Sequence, residues 1–190
     1  MQTANLKLPT QLTRCSWCGT DPLYMEYHDK EWGKTTHDDK VLFEFLTLEA
    51  AQAGLSWITI LRRRENYAGA FANFDVKKVA AFTESDKERL LNDAGIIRNR
   101  LKIDSAIRKA QLFIEVQKEF GSFNTYLYSF MPDGKPIIAY HGPQVSTPES
   151  DAISKDMKKR GFKFFGTTIC YAFMQAVGMV NDHVPECSFR

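Results

Sequence analysis

Apolar residues recur along this chain at three- and four-residue intervals, with no sustained alternation at every second position. That spacing gathers one apolar stripe per helix and predicts an all-α protein. Asp38 to Ala53 is a clear case: Val41, Leu42, Phe45 and Leu48 share a face, and the acids at its start suit the positive end of a helix dipole. Gly54 ends this helix. Ser56 is expected to cap a single helix running from Trp57 to Phe71. Asp75 should cap a short one over Val76 to Phe82, and Thr83 or Ser85 one over Asp86 to Asp93, closed by Gly95. Ile96 to Phe120 carries the longest amphipathic pattern, through Ile97, Leu101, Ile103, Ile107, Ala110 and Ile114. An aromatic helix over Phe123 to Phe130 follows, then a turn-rich loop from Met131 to Pro148. Ser150 is expected to cap a helix ending at Arg160. After a tight turn from Gly161 to Gly166, Thr167 opens a last helix that Gly178 closes.

Length and composition narrow this picture without redirecting it. At 190 residues the chain is long enough for one domain with a sizeable core, assigned to residues 14–190, after a loosely held tail over 1–13. Hydrophobic residues make up 44% and charged residues 25%, ordinary for a globular protein, while 13% aromatic leaves room for a stacking site. A net charge of +2 cannot by itself argue for nucleic acid; basic residues would have to gather on one face. The start of the chain has no apolar leader and no run is long enough to span a bilayer, so the expected setting is the cytoplasm, with no membrane partner. In that setting four Cys point to metal binding or free thiols rather than disulfides.

One stretch departs from the helical pattern. Arg14 to Gly33 packs two Cys, a His, two Trp and two Tyr into twenty residues with little hydrophobic periodicity. Near the other end, Asn181 to Cys187 supplies a further His and Cys. Zinc in a structural site is held by thiolates and imidazoles. Cys15, His28, His183 and Cys187 form one candidate set, with His183 and Cys187 four apart on one helical face or compact turn. Cys15 and Cys18 form an alternative half-site, so spacing leaves Cys18 and His28 in competition. Four protein ligands would leave no open position for water, which argues for a structural metal and against a metallohydrolase.

Between the ligands lie candidates for a pocket. Tyr24 and Tyr27 face the same way if their segment is helical, Trp17 is close in sequence, and Glu49 interrupts an apolar helix just before Trp57. Aromatic faces with one carboxylate suit a flat, cationic or amide-bearing ring, although solvated acids and packing tyrosines are commoner. The Gly161–Gly166 turn can present backbone amides at a helix N-terminus to a phosphate, with Lys158, Lys159, Arg160 and Lys163 adding local positive charge.

The motifs DPLYMEYHDKEWG, LEAAQAGLSWITILRRRENY, DAGIIRNRLKI and KKRGFKFFGTTICYAFMQAVGMVNDH, spread from Arg14 to Cys187, resemble the DNA-3-methyladenine glycosylase I family of the helix-hairpin-helix superfamily. The resemblance implies an all-α fold, with its helix-hairpin-helix at about residues 150–178. It also implies one structural zinc clasping 14–33 to 181–190 through Cys15, His28, His183 and Cys187, which selects His28 over Cys18. Glu49 and Tyr27 would hydrogen-bond the excised base, Trp57 would stack on it, and Trp17 and Tyr24 would complete the pocket. Gly161, Lys163, Gly166 and Thr167 would grip the backbone of double-stranded alkylated DNA. The implied activity is hydrolysis of the N-glycosidic bond of 3-methyladenine by a monomer, with the free base as product, Glu49 as the central catalytic residue and no lyase step. Asp182 is left with two roles, assisting the attacking water or orienting the turn before His183. A zinc-stapled module that only binds DNA is the competing reading, and such a module has no need of Glu49 with Trp57.

Overall fold

A computed structural model describes residues 12–138, 142 and 144–190. The expected tail therefore lies outside the described residues up to position 11, as do positions 139–141 and 143 of the turn-rich loop. Among the described residues ten α-helices carry the fold: α1 (Pro22–Lys30), α2 (Asp39–Gln52), α3 (Trp57–Leu61), α4 (Arg64–Ala70), α5 (Val76–Ala80), α6 (Glu84–Asn92), α7 (Arg100–Phe120), α8 (Phe123–Tyr128), α9 (Pro148–Arg160) and α10 (Thr167–Ala176). No strand forms among them, and a single parallel bridge joins Ile137 to Val180. The all-α expectation holds. No helix of the described residues is long and apolar enough to cross a membrane.

Helix α2 is the axis of the fold. From Leu42 to Ala51 all but Glu44 are buried, and α3, α7, α8 and α10 pack around it. A helix buried on every side belongs to the interior, so a carboxylate on it at Glu49 has no route to bulk water except through a cavity. The start of α2 is fixed twice over. Asp38 accepts the Lys40 N–H at 2.8 Å as N-cap, while Asp39 accepts the backbone N–H groups of Phe123 and Asn124, each at 2.9 Å, and so docks α8.

Helices α5, α6 and α8 differ from the sequence reading by about two residues at one end, and three differences elsewhere are larger. The helix expected from Trp57 to Phe71 is two, and the arginines around the break reach different partners: Arg62 to Asp21, Arg63 back to the Thr59 carbonyl, Arg64 to Glu31 and Glu44. Ser56 does not cap α3; its hydroxyl bonds the Thr59 hydroxyl instead. Helix α9 begins one turn earlier than expected. Thr147 is the N-cap, Pro148 fits the first turn, and Ser150 is the reciprocal partner of Thr147 rather than the cap. Helix α7 starts at Arg100, where Asn99 accepts the Lys102 N–H, leaving Ile96 and Ile97 in the preceding turn.

The segment after α1 crosses the end of α10. Gly33 N–H donates to the Gln175 carbonyl at 2.9 Å and Thr36 N–H to that of Val177 at 3.1 Å. Gly178 makes this crossing possible: it sits at φ +68, and a Cβ there would stand 2.2 Å from the Lys34 backbone. The crossing brings the N-terminal aromatics against the C-terminal segment and creates both features described next.

Candidate active site and metal centre

The first and last described segments meet. Thr13 N–H donates to the Ser188 hydroxyl and Ser188 N–H to the Thr13 carbonyl, at 3.0 and 2.9 Å. Just inside them, ligand atoms of Cys15, His28, His183 and Cys187, all buried, lie within 4.8 Å of one another. Sγ of Cys187 is 3.2 Å from His183 Nδ1 and 3.6 Å from His28 Nε2, and Sγ of Cys15 is 3.5 Å from His183 Nδ1. A tetrahedral ion with Zn–S and Zn–N bonds of about 2.3 and 2.0 Å needs S···N edges of about 3.5 Å, so the donors already stand at the spacing such an ion requires.

The far nitrogens of both rings are fixed. His28 Nδ1 faces Asp29 at 2.8 Å, and Arg14 grips the same carboxylate through three contacts of 2.7 to 3.0 Å. His183 Nε2 donates to the Trp32 carbonyl at 3.1 Å. Each bond leaves a lone pair on the nitrogen that faces the cysteines, the tautomer that metal binding needs. Cys18 stands outside this group. Its thiol donates to the Cys15 carbonyl at 3.2 Å, so the geometry selects His28 over Cys18.

A cavity of about 420 Å³ opens beside this centre, within the usual range for small-ligand sites. Helix α1 supplies Tyr24 and Tyr27, three residues apart on one face, α2 supplies Glu49 and Gln52, and α3 begins with Trp57. The turn before α1 adds Trp17, α10 adds Gln175, and Asp182 and Val184 come from the C-terminal segment. All five residues expected in the pocket therefore line one cavity. Trp17 stands edge-on to Trp32 and Tyr24, with ring centroids at 4.8 and 5.0 Å, and Tyr27 leans on Trp57 at 5.5 Å.

The wall also holds residues that sequence reasoning missed. Trp32 packs on His183 at 4.7 Å and so joins the metal centre to the cavity. Its position, one turn beyond His28, was a usable signal. Gln52 and Gln175 had none, being polar residues on helices with ordinary periodicity.

Three polar atoms of the wall are buried without a hydrogen-bond partner: Glu49 Oε2, Trp57 Nε1 and Asp182 Oδ1. Such atoms are uncommon in folded proteins and leave hydrogen-bonding capacity unused in the wall. Burial alone pushes the Glu49 carboxyl up to about 8, so at neutral pH it is mostly protonated. Burial first, then the neighbouring Glu49, hold the Tyr27 phenol well above its ordinary value, which keeps it a donor.

The turn between α9 and α10 is less uniform than its sequence suggests. Gly161 ends α9 at φ +103, a left-handed conformation that favours glycine. Gly166 lies at φ −70, needs no such freedom, and leaves the first turn of α10 without a side-chain cap. Lys163 is exposed, and Arg160 is committed to Asp156 and Glu119. The Thr167 hydroxyl is occupied too: it donates to Asp151 and meets the Ser150 hydroxyl at 3.1 Å, tying α10 to α9.

The helical scaffold thus sets an aromatic cavity with an unpaired carboxyl beside a four-donor centre. The family model for methyladenine glycosylases matches residues 17–190. The chain is 51% identical over 179 residues to DNA-3-methyladenine glycosylase 1 of Escherichia coli strain K12, across 93% of this chain and 96% of that protein. A crystal structure of 3-methyladenine DNA glycosylase I superposes with a TM-score of 0.88 at 50% identity, covering 93% of this chain and 98% of the other. A structure described as the basis of 3-methyladenine recognition by the Staphylococcus aureus enzyme also reaches 0.88, at 35% identity, covering 93% and 96%. The chain belongs to the methyladenine glycosylase family.

Proposed function

We propose that this chain is a monomeric DNA-3-methyladenine glycosylase, which hydrolyses the N-glycosidic bond of 3-methyladenine in alkylated duplex DNA and releases the free base. The observation that carries this reading is Glu49, a fully buried carboxyl with one unpaired oxygen in an aromatic cavity. Family membership supports it, as does the solved relative whose structure concerns 3-methyladenine recognition.

Methylation at N3 leaves the base with a formal positive charge, so it departs as a neutral molecule and needs little help from an acid. The enzyme's task is then selection: the nucleotide is turned out of the stack and the damaged base is held better than a normal one. Glu49 and Tyr27 hydrogen-bond the base edge, Trp57 stacks on its face, and Trp17 and Tyr24 close the pocket. A cation arriving beside Glu49 favours its ionised form, whereas neutral adenine leaves it protonated. Stacking of the charged ring on Trp57 contributes about 1 to 2 kcal/mol when desolvated. We expect no lyase step, since carboxyls, amides and aromatics rather than an amine surround the ring among the described lining residues.

The four-donor centre fits zinc in charge, donor type and spacing. Cys15, His28, His183 and Cys187 would hold it, and bound there it supplies a cross-link between the chain's ends. The free amides that open α10, with Gly161, Lys163 and Gly166, suit a phosphate of the DNA backbone. Thr167 would contribute there through its backbone N–H, its hydroxyl being engaged with Asp151.

The test is release of 3-methyladenine from methylated duplex DNA by the wild type and by Glu49→Gln. A charged hydrogen bond is worth about 1.5 to 3 kcal/mol, so release by the variant should fall roughly 10- to 100-fold. Unchanged release would remove Glu49 from the account of selectivity. No release by folded, metal-loaded wild type would leave only a DNA-binding module.

A further inference from the structure

We propose that Lys102 is a positioning residue for the base pocket, clamping the turn that sets Trp57 against Glu49. The inference rests on the glycosylase reading above and deepens it by naming what holds these two pocket side chains in register. Glu49 lies in the last turn of α2 and Trp57 opens α3, so their spacing passes through residues 52–56. That connection is weakly built from its own residues. Gly54 sits at φ +82, Ser56 does not cap α3, and the last turn of α2 holds no basic side chain to meet its carbonyl end. Within the turn, Leu55 N–H donates to the Gln52 carbonyl at 2.6 Å.

Lys102 supplies the missing partner from another helix. Its ammonium donates to the Ala51 carbonyl at 2.8 Å and to the Ala53 carbonyl at 2.7 Å. Ala51 belongs to α2 and Ala53 to the turn beyond it, so the two bonds fix the exit direction as well as the helix end. A plain cap would need only the first. The mounting is firm: Lys102 sits in the first turn of α7, where Asn99 holds its backbone N–H at 3.1 Å. One turn on, the Ser105 hydroxyl donates to the Lys163 carbonyl at 3.3 Å, so the same stretch of α7 also holds the turn between α9 and α10. Lys102 lies outside the wall of the base cavity and lines a separate, much smaller one with Thr47, Ala50 and Ala51 of α2. It therefore acts through the backbone of the turn rather than on the base.

Such a clamp matters because the two contacts it relates must be made at once. A ring that stacks on Trp57 while its edge bonds Glu49 fits only one separation of these side chains. Without the two bonds, a turn hinged at Gly54 takes up several arrangements, and the pocket is competent in a fraction of them. Apparent affinity falls by that fraction, and release falls further because it also needs the sugar in place.

The experiment compares wild type with Lys102→Met, which keeps the stem and removes both bonds, and Lys102→Arg, which keeps a charged donor. Binding of free 3-methyladenine, single-turnover release from methylated duplex DNA and hydrogen exchange of residues 53–57 are measured well below the melting temperature. Lys102→Met should bind base about 10-fold more weakly, release it about 10- to 100-fold more slowly, and exchange the Leu55 N–H faster. Lys102→Arg should recover most of each loss. A lysine that only supports the fold would lower the melting temperature and leave the folded protein's affinity and release at wild-type values, which overturns the proposal. A loss that Lys102→Arg does not recover overturns it too, by assigning the effect to the packed stem rather than to the bonds. If Lys102→Met does not fold, Lys102→Gln decides in its place, and wild-type affinity there is again the overturning result. A wild type that binds and releases no base overturns the glycosylase reading, whereas unchanged Leu55 exchange in Lys102→Met overturns the clamp by itself, so the two failures are told apart.

Discussion

Two buried polar regions lie side by side in this molecule, and they are finished to different degrees. In the clasp, each histidine has its outward nitrogen engaged, His28 by Asp29 and His183 by the Trp32 carbonyl, and the four inward donors face one another. In the cavity, Glu49, Trp57 and Asp182 each keep a buried atom without a partner. A region completed by the protein and one ion contributes stability. A region left incomplete costs stability and gains affinity when its ligand arrives. The two are contiguous, since Cys15 lines the cavity and Asp182 and Val184 flank His183.

The largest effect should come from opening the clasp. Removing the metal with a chelator, or replacing one ligand as in Cys187→Ser, is expected to lower unfolding free energy by at least about 3 kcal/mol, read as a fall in melting temperature with metal content measured in parallel. Free-base binding should fall with it, because Trp17 and Trp32 lie against the ligand rings. A chelated protein that melts and binds base as before would show that the paired backbone of Thr13 and Ser188, rather than the ion, holds the ends together.

Next in size is the penalty carried by Glu49. Its carboxyl titrates near 4.5 when unfolded and near 8 when folded. Below both values the two states are equally protonated and the group has no effect. Between them only the unfolded state loses its proton, so stability falls as pH rises from about 4.5 to about 8 and stays reduced above that. At pH 7 the loss is on the order of 3 kcal/mol. Glu49→Gln should therefore be more stable than wild type at pH 8 and closer to it at pH 5, while losing excision activity. Equal melting temperatures for the two proteins at both pH values would mean that Glu49 is solvated or partnered in the free protein, and the contrast between clasp and cavity would fail.

The difference between the regions also explains what could be read from sequence. Helices α2 and α7 were legible because their apolar spacing is a local signal that burial enforces, and Asp75 was legible as a cap because capping is local too. The break between α3 and α4 was not, and the contacts that accompany it reach Asp21, Glu31 and Glu44, distant in sequence from Arg62 and Arg64. The clasp was half legible. Residue types announced a metal, but choosing His28 over Cys18 by geometry needs the turn of α1 that aims one ring inward while the Cys18 thiol bonds the Cys15 carbonyl. In the cavity, Glu49 stood out as a charge in an apolar helix. Gln175 did not, and Asp182 was legible only with two open roles, because the hydrogen bond between them across the exit from α10 is not a local signal.

The smallest expected effect separates affinity from stability at a single ring. Trp57 is 8% exposed and its Nε1 is buried without an acceptor. Phenylalanine there keeps an aromatic face towards Tyr27 and Phe45, which lie 5.5 and 6.3 Å away, and removes the unpaired donor. It also vacates part of the indole volume. The cavity that opens costs about 1 kcal/mol or more in a sealed core, but this side chain already borders open space, and losing an unpaired buried N–H offsets the remainder. Trp57→Phe should therefore melt within about 1 kcal/mol of wild type while binding free 3-methyladenine up to about 10-fold more weakly, through lost stacking area and a poorer cation–π face. Calorimetric binding and thermal melts on one preparation would check both halves. A variant that loses stability but binds base normally would put Trp57 with the packed core and leave Glu49 and Asp182 as the unpartnered polar groups of the cavity wall among the described residues.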